Sequence, residues 1–170
     1  MAALTPIALF LLWFATSAGF RQFALSLDPH TLTIVQAWRM GGYVFLALYA
    51  QGILPGLFAL PAGLGDMAIA ATAPLVAIKL ANPGHRQGFV LWQVLGILDL
   101  VVAVSLGTLA GLISPHPIGS SPMTLLPLSL IPAFAVPLFV ILHVICIARA
   151  KQWTERQYSR VGGQLPSAAA

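Results

Sequence analysis

GFVLWQVLGILDLVVAVSLGTLAGL, Gly88 to Leu112, is 25 residues long and apolar almost throughout. At ~1.5 Å rise per residue, a helix of that length spans the hydrocarbon core of a bilayer with some tilt. One carboxylate, Asp99, sits near its middle. Ala103, Gly107 and Gly111 follow at steps of four, on one slowly drifting helical face. Small residues in that pattern let a second helix approach closely, so the three are assigned to helix packing. A charge at mid-membrane is costly, so Asp99 is expected to face protein or water.

Working outward, the whole chain has the same character. Of its 170 residues 59% are hydrophobic and only 7% charged, with mean hydropathy +0.92. Soluble domains carry about 25% charged residues, so a water-soluble fold is excluded. The fold class is an all-α, polytopic membrane helix bundle over residues 1–150, with a polar, partly disordered tail over 151–170. Five apolar runs predict five transmembrane helices: residues 4–20, 40–60, 67–81, 88–112 and 123–148. No basic residue precedes the first run, which argues for a retained helix over a signal peptide. In the fifth run Pro127, Pro132 and Pro137 predict a bent or late-starting helix.

The connections carry the remaining signals. Asp28-Pro29 reads as a helix start, with Asp as N-cap and Pro at the first helical position. Trp38 and Arg39 are expected at the level where that helix meets the bilayer. From Gly52 to Asp66, GILPGLFALPAGLGD interrupts any regular helix with Pro55, Pro61 and four glycines. An irregular or re-entrant segment is expected there, tolerated only where it is buried in protein or faces water. Gly52 and Gly56 form a GxxxG pair, a second packing candidate. Asp66 reads either as the N-cap of the next helix or as a functional acid.

The basic residues orient the bundle. Arg21 and Arg39 flank the first connection, Lys79 and Arg86 the third, and Arg149, Lys151, Arg156 and Arg160 follow the fifth helix. With five crossings all eight fall on one face, which the positive-inside rule makes cytoplasmic, with the N-terminus outside. The same placement accounts for the net charge of +4 without a nucleic-acid partner. The expected partners are the bilayer and a protein partner or second copy within it.

Counting ~1.5 Å per residue from the cytoplasmic ends gives depths. Asp99 lies ~15 Å in, level with Gln51 and Tyr49 at ~14 to 17 Å. His143, Gln93 and Tyr43 lie ~5 to 7 Å in, near Arg39. Two polar layers result. In the deeper one Gln51 is the expected partner of Asp99, which is expected to be neutral because no Lys or Arg lies at its depth. Asp99 reads as a proton or ion site, or as a buried acid fixing helix register. His143 reads as a structural histidine, a proton relay, or a ligand for haem or a chlorophyll-type pigment. A haem would want a second histidine at similar depth, and His30, His85 and His116 fall in the connections. Trp92 reads as an interface anchor.

No nucleotide loop, HExxH helix or GxSxG elbow is present, so no catalytic residue, metal or cofactor is assigned. The lone Cys146 excludes an internal disulfide and reads as a small packed hydrophobe. LYAQGILPGLFALPAGLGDMAIAATAP (48–74) and SLIPAFAVPLFVILH (129–143) resemble segments of small uncharacterised bacterial inner-membrane proteins. That resemblance implies an inner-membrane location and carries no activity with it. The function expected first is a non-catalytic subunit or assembly partner of a membrane complex. The alternatives are a proton-coupled transporter using Asp99 and a redox or pigment-binding protein using His143.

Overall fold

The computed structural model describes residues 4–113 and 121–162, and every regular element among them is helical. Helix α1 (Leu4–Thr16) and helix α2 (Ala18–Ser26) meet at 108°. Ser17 makes the corner: its hydroxyl accepts from the Phe20 amide as the N-cap of α2. Trp13 stacks on Phe20 across the bend, centroids 4.1 Å apart.

Asp28 caps α3 (Pro29–Val35) with Pro29 in its first turn. Its carboxylate accepts from the amides of His30 and Thr31, at 3.3 and 2.9 Å. The Thr31 amide holds this carboxyl below its ordinary range. The chain then tightens to a 3₁₀ stretch, Gln36–Gly42, before α4 (Tyr43–Ala50). Three residues per turn eclipse side chains at i and i+3. The buried positions follow that period: Thr33, Gln36, Arg39, Gly42 and Phe45. Trp38 points the other way, 82% exposed. Arg39 is therefore not an interface marker. Its side chain is fully enclosed.

The irregular segment is shorter than expected. It covers Gln51 to Pro55, where Gly52 adopts φ +71°, a left-handed conformation that glycine takes without penalty. From Gly56 one continuous helix, α5 (Gly56–Leu80), runs through Pro61, both remaining glycines and Pro74. Pro61 and Pro74 face outward. Each helical glycine costs about 1 kcal/mol of propensity, and here the loss is offset by close approach. A Cβ on Gly63 would lie 2.8 Å from the Leu46 side chain. Asp66 is thus mid-helix and not an N-cap.

Helix α6 (Arg86–Ile113) follows a 3₁₀ turn at Pro83–His85. Helix α7 (Val136–Gly162) starts after a π-helical turn, Ile131–Ala135, that holds Pro132, the late start the prolines predicted. It runs past residue 150, where the tail was expected to begin. Residues 163–170 of the expected disordered tail, and 114–120 of the outer loop with His116, lie outside the described residues. Three stretches are long and apolar enough to cross a membrane: Gly56–Leu80, Pro83–Ile113 and Ile131–Trp153. The bent α1–α2 pair makes a fourth if it counts as one span. The five expected spans are reduced because residues 29–50 are divided among α3, the 3₁₀ stretch and α4.

Two apolar clusters hold the bundle. One joins Ile69, Ala73 and Val76 of α5 to Phe89 and Trp92 of α6 and to Ile145, Cys146 and Ala150 of α7. The other joins Phe45, Leu54, Phe58, Ala62 and Ala110. Along α5 and α6 the polar side chains Asp66 and Asp99 fall between the two.

Candidate functional site: an ion cluster between the helices

Arg39 lies between two carboxylates from different helices. Its Nε donates to Asp66 Oδ1 of α5 at 2.7 Å, and one terminal nitrogen donates to Asp99 Oδ2 of α6. Its other terminal nitrogen donates to the Gly96 carbonyl at 3.3 Å, and the guanidinium carbon stands 6.0 Å from the centre of the Phe139 ring. Asp66 and Asp99 keep 14% and 17% of their side-chain surface. Two carboxylates against one guanidinium leave a formal charge of −1.

The three residues share a level. Asp66 lies 14 residues before the end of α5 and Asp99 lies 13 after the start of α6, ~20 Å of helix in each case. Arg39 lies ten residues after Pro29, part of that at the longer 3₁₀ rise, which puts it ~17 Å in. The glycines make room. A Cβ on Gly42 would sit 2.5 Å from Asp66 Cβ, and one on Gly65 would overlap the Asp99 carboxylate. Gly96 packs against the His143 ring in the same way.

On the side of Lys79 and Arg86, a separate buried polar chain lies next to the cluster. His143 Nδ1 pairs with Gln93 Oε1 at 2.5 Å, Gln93 Nε2 donates to Thr33 Oγ1 at 3.2 Å, and Thr33 donates to the Pro29 carbonyl at 2.7 Å. Gln36 donates to the Phe139 carbonyl at 3.3 Å. Gln36 Oε1 and His143 Nε2 are buried with no partner among the described residues. Trp92 is no interface anchor: it is buried, donates to Thr72 at 3.0 Å and stands edge-on to His143.

On the opposite side a pocket of about 300 Å³ opens between α5, α6 and the 122–136 segment, with Asp66 as the charged group lining it. Phe45, Phe58, Ala103, Gly107 and Ile131 contribute to its apolar wall.

The chain belongs to the DUF8737 family. The family model, described as a domain of unknown function, matches residues 1–150. Neither a curated protein nor a solved structure matches the chain. The resemblance to uncharacterised membrane proteins thus agrees with membership of DUF8737.

The site differs in membership from the two expected layers. Gln93 and His143 are together, as their depths implied. Arg39 belongs with Asp99, and Asp66 joins them. The partner of Asp99 is Arg39 and not Gln51, so a cation does reach its depth. Gln51 is exposed at the α4 end; Tyr49 is also exposed, its ring against Gly56. Tyr43 is 57% exposed and outside the His143 layer. Gly52 is in a turn, so Gly52 and Gly56 are not a helix-packing pair. Along α6, Ala103 and Gly107 are half-buried, Gly107 against the Phe58 ring, and Ala110 is buried while Gly111 is exposed. The face drifts so that 110, not 111, continues it. Thr33 and Gln36 went unnoticed in the sequence, although Thr33, Gln36 and Arg39 repeat at three residues.

Proposed function

We propose that this DUF8737 protein is a proton-coupled membrane carrier whose Arg39–Asp66–Asp99 cluster binds and releases the coupling proton. The observation that carries the reading is the charge count: two carboxylates and one guanidinium enclosed between three helical segments. A net charge in a poorly polarisable interior is unfavourable, and one bound proton neutralises it. The pocket reaches Asp66 from one side, and the Gln93–His143 chain lies on the other. Both are suited to a site reached in turn from opposite faces.

In this reading the chain crosses a bacterial inner membrane five times. The bent α1–α2 pair and the α3–3₁₀–α4 column complete the three long helices. The face bearing Lys and Arg is cytoplasmic, the N-terminus is outside, and the protein needs no haem, pigment or metal. The column at 29–50 supports the fifth crossing, because it is helical throughout and puts Arg39 at the depth of Asp66 and Asp99.

Infrared difference spectra of the protein in lipid, recorded across pH, test this. The expected result is a titrating carboxyl band that is lost in Asp66→Asn or Asp99→Asn. Absence of a titrating band that Asp66→Asn or Asp99→Asn removes, apart from the exposed carboxyls such as Asp28, overturns the carrier reading and returns the protein to a non-catalytic subunit.

A further inference from the structure

We infer that the pocket beside Asp66 takes an organic monocation, a protonated amine with an aromatic or branched apolar body, in exchange for the proton. This rests on the carrier reading and specifies its substrate. The pocket volume of about 300 Å³ is at the small end of ligand sites. Its wall is apolar and partly aromatic, with Phe45 and Phe58 edge-to-face at 5.3 Å. Asp66 is the charged group lining it, and Arg39 holds one of that residue's two oxygens.

The charge count sets the ligand's sign. The cluster lacks one positive charge, which an ammonium group supplies as well as a proton does. An anion would add to the excess, and a neutral solute would leave it uncompensated. A small inorganic cation would lose most of its water to a wall that is chiefly carbon, where only the hydroxyl-bearing Thr108 and Thr124 line the pocket beside Asp66. An alkylammonium group loses less, because its apolar body is buried where Phe45, Phe58 and Ile131 lie. An ammonium near an aromatic face also gains a cation–π contribution.

Exchange follows from exclusion. The carboxylate that receives the ammonium cannot hold the proton at the same time. The amine enters as its cation, the proton leaves the carboxyl for water, and the total charge of the site is unchanged. The charged groups against Asp66 among the described residues are Arg39 and Asp99. Helix α4 turns Tyr43 and Tyr49 outward, and α7 brings His143, which packs on Gly96 and pairs with Gln93.

The test is calorimetric titration of the full chain in lipid nanodiscs with 2-phenylethylamine, in buffers of different ionisation enthalpy. 2-Phenylethanol is the neutral control. The expected result is amine binding with release of up to one proton, about tenfold weaker for each pH unit below the titration of the site, and no binding of the alcohol. Asp66→Asn should abolish both amine binding and proton release. Because that variant removes an ion-pair partner, Val104→Trp in the pocket wall is the second variant. It should abolish amine binding while the infrared carboxyl titration persists. A titrating carboxyl with no amine binding, or equal binding of the alcohol, overturns the substrate assignment and leaves the carrier reading standing. Absence, in the unmodified protein, of a titrating band assignable to Asp66 or Asp99 overturns both.

Discussion

Arg39→Met is the most informative single change. Methionine keeps the length and much of the volume of the arginine stem and removes the charge. In the native fold the guanidinium makes two ion pairs and one bond to a backbone carbonyl. Charge-assisted hydrogen bonds contribute ~1.5–3 kcal/mol each, so the two pairs together amount to ~3–6 kcal/mol. Breaking a buried pair by removing one partner costs ~3–5 kcal/mol, because the remaining charge stays buried. The two routes agree on ~4 kcal/mol, a large part of the ~5–15 kcal/mol typical of a fold. The assay is reversible unfolding of the purified protein in mixed micelles. The companion is the triple variant Arg39→Met, Asp66→Asn, Asp99→Asn, which removes the orphaned carboxylates together with their cation. It should regain at least half of the lost stability. If Arg39→Met costs under ~1 kcal/mol, the enclosed ion cluster is not a determinant of stability. If the triple variant is no better than the single one, the loss is one of packing and not of charge.

Gly107→Leu should destabilise by ~1–3 kcal/mol, because the added carbons meet the Phe58 ring, while Gly111→Leu should stay within ~0.5 kcal/mol; the same unfolding assay separates them. Gly96→Ala places a methyl on the His143 ring and should cost at least ~1–3 kcal/mol, visible also as a shifted His143 signal in NMR. Asp28→Ala removes the α3 cap and should cost ~0.5–2 kcal/mol. The folded Asp28 carboxyl lies below its ordinary value, so its contribution is complete above the unfolded value near 3.9 and is lost as pH falls through the folded one. A stability profile in which Asp28→Ala and the native chain converge only at alkaline pH would contradict this.

The sequence carried the helical class, the Asp28–Pro29 start, the delayed α7 and the Gln93–His143 level, because each depends on local spacing or on a simple count from a helix end. It misplaced Arg39, since a basic residue beside Trp38 follows the usual pattern of an interface. What overrides that pattern is tertiary: Asp66 and Asp99, 27 and 60 residues away, offer two carboxylates at the depth the side chain reaches. The same kind of contact overrode the glycine and proline content of 56–66. Gly63 and Gly65 look like breakers in a list of propensities, and in the fold they are the places where Leu46 and Asp99 come closest. Asp66 reads as a cap only if those glycines form a loop, and in the fold they lie within α5. The stripe at Thr33, Gln36, Arg39 and Gly42 was hidden because a polar inner face leaves no mark in a search for apolar periodicity.

That stripe makes the 29–50 column behave like a keyed shaft. At three residues per turn each position stands a third of a revolution from the next, so the key has three settings and only one of them fits. Deleting a single residue between Gln36 and Arg39 would turn every later side chain by one setting, carrying the guanidinium from the acids to the outer surface and swinging Met40 inward. In the proposed five-crossing reading, an outward arginine at the centre of a bilayer costs ~2.5–3.5 kcal/mol on insertion scales, added to the loss of both ion pairs. Side-chain chemistry can vary at the exposed positions Ile34, Trp38, Met40 and Tyr43, whereas a change in the number of residues between Thr33 and Phe45 breaks the register of the buried stripe.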